Sequence, residues 1–119
     1  MLATTDISMR KYKLVIFSKP IKGREQEYND WYQNVHLHDV VAIEAFKSAQ
    51  RLGLYQVLSV GTEHLPYMAI YEVETDNIDQ AIDELKSRAQ KGQMKISDSM
   101  SAQHTIGAVY EELGPVVKG

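Results

Sequence analysis

The stretch KYKLVIFS, residues 11–18, decides the fold, because it reads as a β-strand with two apolar faces. It is rich in β-branched and aromatic residues and ends just before Pro20, as strands commonly do. Side chains alternate across a strand. The two faces are Tyr12, Leu14 and Ile16 on one side, and Val15 and Phe17 on the other. This pattern is typical of a strand that is covered on both sides.

Periodicity predicts five further elements along the chain. A helix with an apolar stripe is predicted at residues 24–34, and residues 36–43 are compatible with one or two further turns of it. Strands are predicted at residues 46–52, 67–74 (YMAIYEVE) and 103–113. A second helix covers residues 77–91, with Asn77 and Gln80 as a capping box and Gly92 after its last turn. The stripe of the first helix consists of Tyr28, Trp31, Tyr32 and Val35.

The order of these elements is β-α-β-β-α-β, which predicts an α+β, ferredoxin-like fold with a four-stranded antiparallel sheet. The chain of 119 residues suits one domain. We expect the domain at residues 11–115, a disordered lead-in at residues 1–10 and a short tail at residues 116–119. The two helices can cover only one face of the sheet. The other apolar face predicts a homodimer through that face, or else a ligand or a different protein bound to it.

Composition excludes several classes of function. The net charge of −3 and the lack of a basic stripe predict no nucleic-acid partner. The chain has no cysteine, which excludes disulfides and thiolate chemistry and suits a reducing compartment. No apolar run approaches ~20 residues and no signal-type segment is visible, so neither a membrane partner nor secretion is expected. We therefore expect a cytoplasmic protein.

Residues 28–52 (YNDWYQNVHLHDVVAIEAFKSAQRL) resemble the dimeric α/β-barrel superfamily, and in particular small EthD-like proteins. The pattern is an aromatic pair, a histidine and an acid, then an apolar residue leading to an arginine on the second strand. The matching positions are Trp31, Tyr32, His36, Asp39, Phe46 and Arg51. Glu44 and Ala45 stand where such proteins often have glycine or proline, so the start of the second strand is not fixed by the pattern.

The resemblance implies two sheets packed face to face in a dimeric barrel, with a pocket between helices and sheet in each subunit. The superfamily includes cofactor-free monooxygenases, cyclases, isomerases, dehydratases, decarboxylases and haem enzymes, together with members that have no known activity. A reaction inferred from the fold alone would therefore be an analogy.

His36 and Asp39 are the candidate acid–base pair. If the helix continues, these residues lie three apart on one face, next to Tyr32. An acid beside a histidine orients the ring and raises its basicity, which predicts a general base near neutral pH. The alternative is that both side chains only tether the end of the helix, where a histidine gains from the dipole in any case.

Arg51 is the third candidate for catalysis, and the candidates for binding a substrate are Trp31, Tyr32, Tyr71 and Tyr110. Arg51 has the forked donors that hold a carboxylate, enolate or phenolate, or it pairs with Asp39 or Glu72. Tyr71 and Tyr110 offer hydroxyls to an oxyanion, or pack in the core with the hydroxyl at its rim. Trp31 is a platform for a substrate or an anchor of the core.

No metal or organic cofactor is expected. His36 and His38 point roughly 200° apart on a helix, so they cannot share an ion there. The sequence has no phosphate loop, dinucleotide fingerprint or nucleophile motif. Two functions remain. The first is a cofactor-independent enzyme acting by acid–base chemistry on a small apolar carbonyl or phenolic compound, as a cyclase, isomerase, dehydratase, decarboxylase or monooxygenase. The second is a non-catalytic protein that binds a hydrophobic metabolite.

Overall fold

The computed structural model describes residues 9–119, so most of the predicted lead-in lies outside the described residues. Arg10 already belongs to the first strand, which places the start of the domain one residue earlier than expected. The strands are β1 (Arg10–Ser18), β2 (Phe46–Gly53), β3 (Tyr67–Thr75) and β4 (Ile106–Glu111). The helices are α1 (Glu25–Trp31), α2 (Leu37–Val41) and α3 (Ile78–Gln90), with a π-helical segment (Tyr32–His36) joining α1 to α2.

The four strands form one antiparallel sheet in the order β2-β3-β1-β4. The central strands are β1 and β3, the two with the strongest apolar patterns. This order, with both helical connections packed on one side, is the predicted ferredoxin-like α+β fold, and the fold class is confirmed.

The core lies between the helices and one face of the sheet. Leu14 of β1 and Tyr71 of β3 face each other across the strands, and their side chains are buried beneath α1 and α2. Ala81 of α3 belongs to the same buried cluster. The helix stripe predicted from the sequence is also buried, except for Val35, which remains 40% exposed. Its buried members are Tyr28, Trp31 and Tyr32.

A β-bulge at the start of β2 decides which of its side chains face the helices. Phe46 pairs with Val73, and Ser48 pairs with the residue of β3 adjacent to Val73. Two steps along β2 therefore correspond to one step along β3, so β2 contains one extra residue. An extra residue moves every later side chain of a strand to the opposite face. Arg51 consequently points to the helix side, together with Ala49. Without the bulge, the polar residues of β2 that now point away from the helices would face them instead.

The first helix continues past Trp31 through a π-turn and ends at Val41. The backbone N–H of Leu37 donates to the carbonyl of Tyr32, five residues earlier. A π-turn therefore brings residues five apart onto the same column of the helix. Trp31 and His36 are such a pair, and their rings stack with centroids 4.7 Å apart. The possible extension of the helix through residues 36–43 is confirmed as far as Val41.

Predictions for the second half of the chain hold with one correction. The Asn77 side chain accepts a hydrogen bond from the Gln80 N–H at 3.0 Å, and Gly92 has a φ of 74° after the last turn of α3. The last strand is shorter than predicted, because residues before Ile106 form a 3-10 turn (Ala102–His104). In this turn the backbone N–H of His104 donates to the Ser101 carbonyl, so it does not bond to a neighbouring strand.

The face of the sheet that turns away from the helices is apolar and open. We call it the outer face, and it carries Val15, Phe17, Leu52, Met68, Ile70, Ile106, Ala108 and Tyr110. Ile106 and Tyr110 are 56% and 61% exposed, whereas the residues of β1 and β3 on this face are only half-buried by their neighbours. The prediction of a sheet with two apolar faces and one helical layer is therefore confirmed.

Candidate functional site

Arg51 lies under three tyrosine rings on the helix side of the sheet. Its guanidinium carbon is 5.3, 4.8 and 5.1 Å from the ring centroids of Tyr28, Tyr32 and Tyr67. We call these three residues the tyrosine cage. The faces of aromatic rings attract a cation, so the cage stabilises the positive charge of Arg51 without neutralising it.

The hydrogen-bond partner of Arg51 is a neutral amide. Its Nη2 donates to Asn29 Oδ1 at 2.8 Å, and Asn29 Nδ2 donates to the Tyr67 hydroxyl at 3.4 Å. The prediction that Arg51 pairs with Asp39 or Glu72 is wrong for the described residues. Glu72 points to the other face of the sheet and accepts a hydrogen bond from Ser48. The bulge in β2 accounts for the difference, because it turns Arg51 away from that face.

His36 is packed between two aromatic side chains. Its ring stacks on Trp31 and meets the ring of Tyr32 edge-on at 5.1 Å between centroids. The Nδ1 atom is buried and makes no hydrogen bond to any of residues 9–119. Because Tyr32 also contacts Arg51, the His36 ring and the guanidinium carbon lie within about 10 Å of each other. Tyr32 therefore contacts both His36 and Arg51.

The protonation of His36 differs from the sequence prediction. Burial lowers the pKa of His36 to about 4, and the negative charge of Asp39 raises it only in part. A buried imidazole loses the hydration that its charged form requires. Asp39 is half-buried and makes no hydrogen bond to His36 in the described structure, so it does not orient the ring. The expectation of a general base titrating near neutral pH is thereby corrected: His36 is neutral at pH 7.

The buried tyrosines keep their hydroxyl protons. Burial raises the pKa of Tyr71 far above its usual range, and burial also raises the pKa of Tyr32 and Tyr28. The Tyr28 hydroxyl has a partner, Ser18 Oγ, at 2.6 Å. The Tyr71 hydroxyl is buried near Tyr32 but makes no hydrogen bond of normal geometry within residues 9–119. A buried hydroxyl without a partner costs free energy.

The structure separates the other two predicted binding residues. Trp31 belongs to the core, being 7% exposed, and its Nε1 donates to the Lys95 carbonyl at 3.0 Å. One edge of its ring also lines a groove of about 520 Å³ next to α1. Tyr110, in contrast, lies on the outer face, opposite Lys13, and cannot reach the site beside Tyr71. The placement of Tyr110 in the same pocket is therefore wrong.

A second concave region lies on the other side of the sheet. A cavity of about 600 Å³ is formed by the outer face and the loop after β2, with Phe17, Leu52, Leu65 and Met68 among its lining residues. It has no contribution from His36, Arg51 or Tyr71. The polar candidate site and this apolar cavity are thus on opposite faces of the sheet.

Several residues of the site were not found from the sequence. Tyr28 was identified only as part of a core stripe, and Asn29, Tyr67 and Ser18 carried no pattern that distinguished them. The bulge in β2 decides that Arg51 faces them, and no sequence pattern marks that bulge. No group of three or more His, Asp or Glu side chains within residues 9–119 is arranged to hold a metal ion. Within the same range, no helix is long and apolar enough to cross a membrane.

Fold and site define a class of small α+β proteins with a four-stranded sheet, a helical layer and an aromatic site between them. In a comparison with solved structures, the chain is similar to an ethyl tert-butyl ether D (EthD) family protein from Bacillus halodurans C-125. The likeness covers 87% of this chain and 99% of that chain, with a TM-score of 0.60 and 18% sequence identity. The predicted EthD-like fold is confirmed. No protein-family model matches the chain, and no curated protein matches it either.

Proposed function

We propose that this protein is a homodimeric, cofactor-independent enzyme that moves a proton on a small, mostly apolar carbonyl or phenolic compound. His36 accepts the proton, and Arg51 and Tyr71 hold the oxygen on which negative charge develops. The absence of cysteine supports a cytoplasmic location for this chemistry. The reaction class is a cyclisation, isomerisation, dehydration, decarboxylation or cofactor-free oxygenation.

The observation that carries the proposal is the state of His36. A neutral imidazole with a buried, unpartnered Nδ1 can accept a proton without first losing one. One face of its ring stacks on Trp31, and Tyr32 meets the ring edge-on. Few structural roles need a buried imidazole nitrogen that binds nothing, because such an atom is costly to bury.

His36 is a weak base in the free protein, and the charges in a complex with substrate would raise its pKa. Removing a proton from the carbon next to a carbonyl leaves the electron pair on the carbonyl oxygen as an enolate. That anion raises the pKa of a neighbouring imidazole, since it stabilises the protonated form. Arg51 supplies a positive charge within about 10 Å of the His36 ring, and Tyr71 supplies an unused hydroxyl donor.

The test is the variant His36→Gln, assayed against a panel of apolar carbonyl and phenolic compounds. We expect turnover by the natural chain and a loss of about a hundredfold or more in the variant, since general bases contribute about 10²–10⁴-fold. His38→Gln is the matched control, because His38 is exposed on the same helix. Equal turnover in the natural chain and His36→Gln would remove His36 from the mechanism.

The proposal of a homodimer rests on the outer face. Each buried Val, Ile or Phe stabilises by roughly 1.5–3 kcal/mol, and this face presents several of them without cover from the chain itself. A two-fold pairing of outer faces would bury them all. Sedimentation at micromolar concentration should give twice the chain mass of 13.5 kDa. A monomer under these conditions would contradict the proposal.

A second function has specific support. His36 has a pKa of about 4 and donates no hydrogen bond to Asp39 that would orient its ring, which favours a site that binds a hydrophobic metabolite without converting it. Stoichiometric binding of a compound that is recovered unchanged, from a panel on which no turnover is measured, would favour this function. A turnover rate that falls below about pH 4, where His36 becomes protonated and can no longer accept a proton, would favour the enzyme.

A further inference from the structure

Arg51 carries a positive charge that the described part of the chain does not neutralise. A guanidinium has five N–H donors, and the hydrogen bond to Asn29 Oδ1 uses one of them. The side chain is half-buried, and no carboxylate of the described residues forms an ion pair with it. Burying a charge costs free energy unless it is paired, and the tyrosine cage stabilises this charge without pairing it.

The groups around Arg51 also favour a negatively charged, flat partner. The tyrosine cage surrounds the guanidinium with ring faces and leaves its planar edge for hydrogen bonds. Asn29 is held by two bonds at once: it accepts from Arg51 and donates to Tyr67. Planar carboxylate-like groups match the forked donors of arginine in a bidentate manner.

The end of β2 leaves room next to this site. Gly53 follows Arg51 by two residues, on the same face of the strand, and lies opposite Tyr67. A Cβ atom added at Gly53 would meet no heavy atom within 4 Å. Ala69, which has a small side chain, lies opposite Arg51 on β3. The Arg51 site is thus open toward the end of the strand.

We infer that Arg51, Asn29 and Tyr67 form a binding site for the oxyanion of the ligand, so that the substrate is a small apolar compound carrying a flat anionic oxygen group. The group is a carboxylate or a phenolate. This inference rests on the proposed function for the identity of the site, but it specifies that the ligand is already an anion when it binds.

Asn29→Asp tests the inference without changing the shape of the site. The new carboxylate lies 2.8 Å from Arg51 Nη2, where the amide oxygen is now, and it supplies the negative charge internally. We expect benzoate affinity, measured by calorimetry at pH 7, to fall by about tenfold or more, the size expected for the loss of one charged hydrogen bond. Asn34→Asp is the matched control, because it adds the same charge at an exposed position of the same helical connection.

Neutral and phenolic probes show whether the ligand must be an anion, and whether that anion is a carboxylate or a phenolate. Benzamide has the size of benzoate without its charge, and we expect it to bind the natural chain at least about tenfold more weakly than benzoate. Tighter binding of 4-nitrophenolate than of benzoate would assign the site to phenolates, and the reverse order would assign it to carboxylates. Binding of neither anion would overturn the inference, and so would equal affinity for benzoate and benzamide.

Arg51→Gln is the second variant, and an amide nitrogen–proton correlation spectrum checks that it remains folded. In the folded variant we expect benzoate binding to be lost and benzamide binding to be unchanged. Unchanged benzoate affinity in either Asn29→Asp or folded Arg51→Gln would mean that Arg51 only fastens β2 to α1, and would overturn the inference. If Arg51→Gln does not fold, the result for Asn29→Asp decides.

The inference and the proposed function fail in different ways. Binding of an anion that depends on Asn29 and Arg51, without any turnover that depends on His36, would contradict the enzyme and leave the anion site intact. Turnover that depends on His36, on neutral compounds that bind equally well to Asn29→Asp, would overturn the anion site and leave the enzyme intact.

Discussion

Tyr71 and Tyr110 lie on the two faces of one sheet, and their surroundings are opposite. Tyr71 is 1% exposed beneath the helices, in a region dense with aromatic rings, while Tyr110 is 61% exposed on the outer face. The helix side contains buried polar atoms without partners, which suits recognition of a ligand. The outer face contains apolar side chains without cover, which suits a second copy of the chain. Function and assembly are therefore expected on different faces.

The largest expected effect concerns the outer face. Ile70→Glu places a charge at the centre of this face, opposite Val15 and Gln50. The change occurs twice in a symmetric dimer, so the loss in dimer stability is roughly 4 kcal/mol or more. Sedimentation should then show a monomer at concentrations where the natural chain is a dimer. Val35→Glu, a change at an exposed position beside α1, should leave the dimer intact. Dissociation of both variants alike would remove the outer face as the interface.

The next effect concerns pH and the helix side. Below pH 6.5 the unfolded chain binds a proton at His36, but the folded chain keeps this ring neutral down to a pKa of about 4. Folding stability from this group is therefore undiminished above pH 6.5 and falls, by up to about 3 kcal/mol, as the pH drops from 6.5 to 4.

Urea unfolding of the natural chain and of His36→Gln at pH 7, 5.5 and 4 measures this difference. The variant should lack the part of the acid loss that His36 causes, while His38→Gln should behave like the natural chain. Parallel loss of stability in the natural chain and His36→Gln would contradict a buried neutral imidazole.

A smaller effect distinguishes two buried tyrosines that differ in one hydrogen bond. Tyr71→Phe removes a hydroxyl without a partner in the described structure, and we expect stability to rise by about 1 kcal/mol. Tyr28→Phe removes the bond to Ser18 and should lower stability by about 1 kcal/mol. Thermal unfolding of both variants makes the comparison. A loss of stability in Tyr71→Phe would show that the Tyr71 hydroxyl has a structural partner. The hydroxyl would then no longer be an argument for ligand binding.

The smallest effect concerns the loop after β2. Leu58 is 89% exposed, so Leu58→Ser should change the unfolding free energy of the monomer by less than about 0.5 kcal/mol. The informative measurement is dimer dissociation. A clear weakening of the dimer would extend the interface from the outer face to this loop, and no change would confine it to the sheet.

Much of the fold followed from local patterns, because β1, β3 and α3 have apolar periods that match their burial. The cap at Asn77 and the left-handed Gly92 followed from short-range chemistry. The bulge before Ser48 could not be predicted, because an extra residue in a strand depends on how the neighbouring strand pairs with it. For the same reason the side of the sheet to which Arg51 points was left open by the sequence.

The candidate site was predicted in its parts but not in its arrangement. His36 and Tyr32 are neighbours as their spacing suggested, but the spacing did not predict the stacking of Trp31 on His36, which requires the π-turn. The pKa of His36 followed burial rather than its acidic neighbour, and sequence spacing alone gives no measure of burial. Tyr110 was assigned to the wrong face because its own strand gives two alternating faces and no indication of which one meets the helices.

The stack of Trp31 on His36 has a practical consequence for work in solution. The chain contains one tryptophan, and its ring lies 4.7 Å from the imidazole of His36. A protonated imidazole in contact with indole quenches its fluorescence by accepting an electron from the excited state. The emission of the unlabelled protein therefore reports the charge of His36, and a rise in emission as the pH is raised through the pKa of about 4 can be assigned to a single pair of rings.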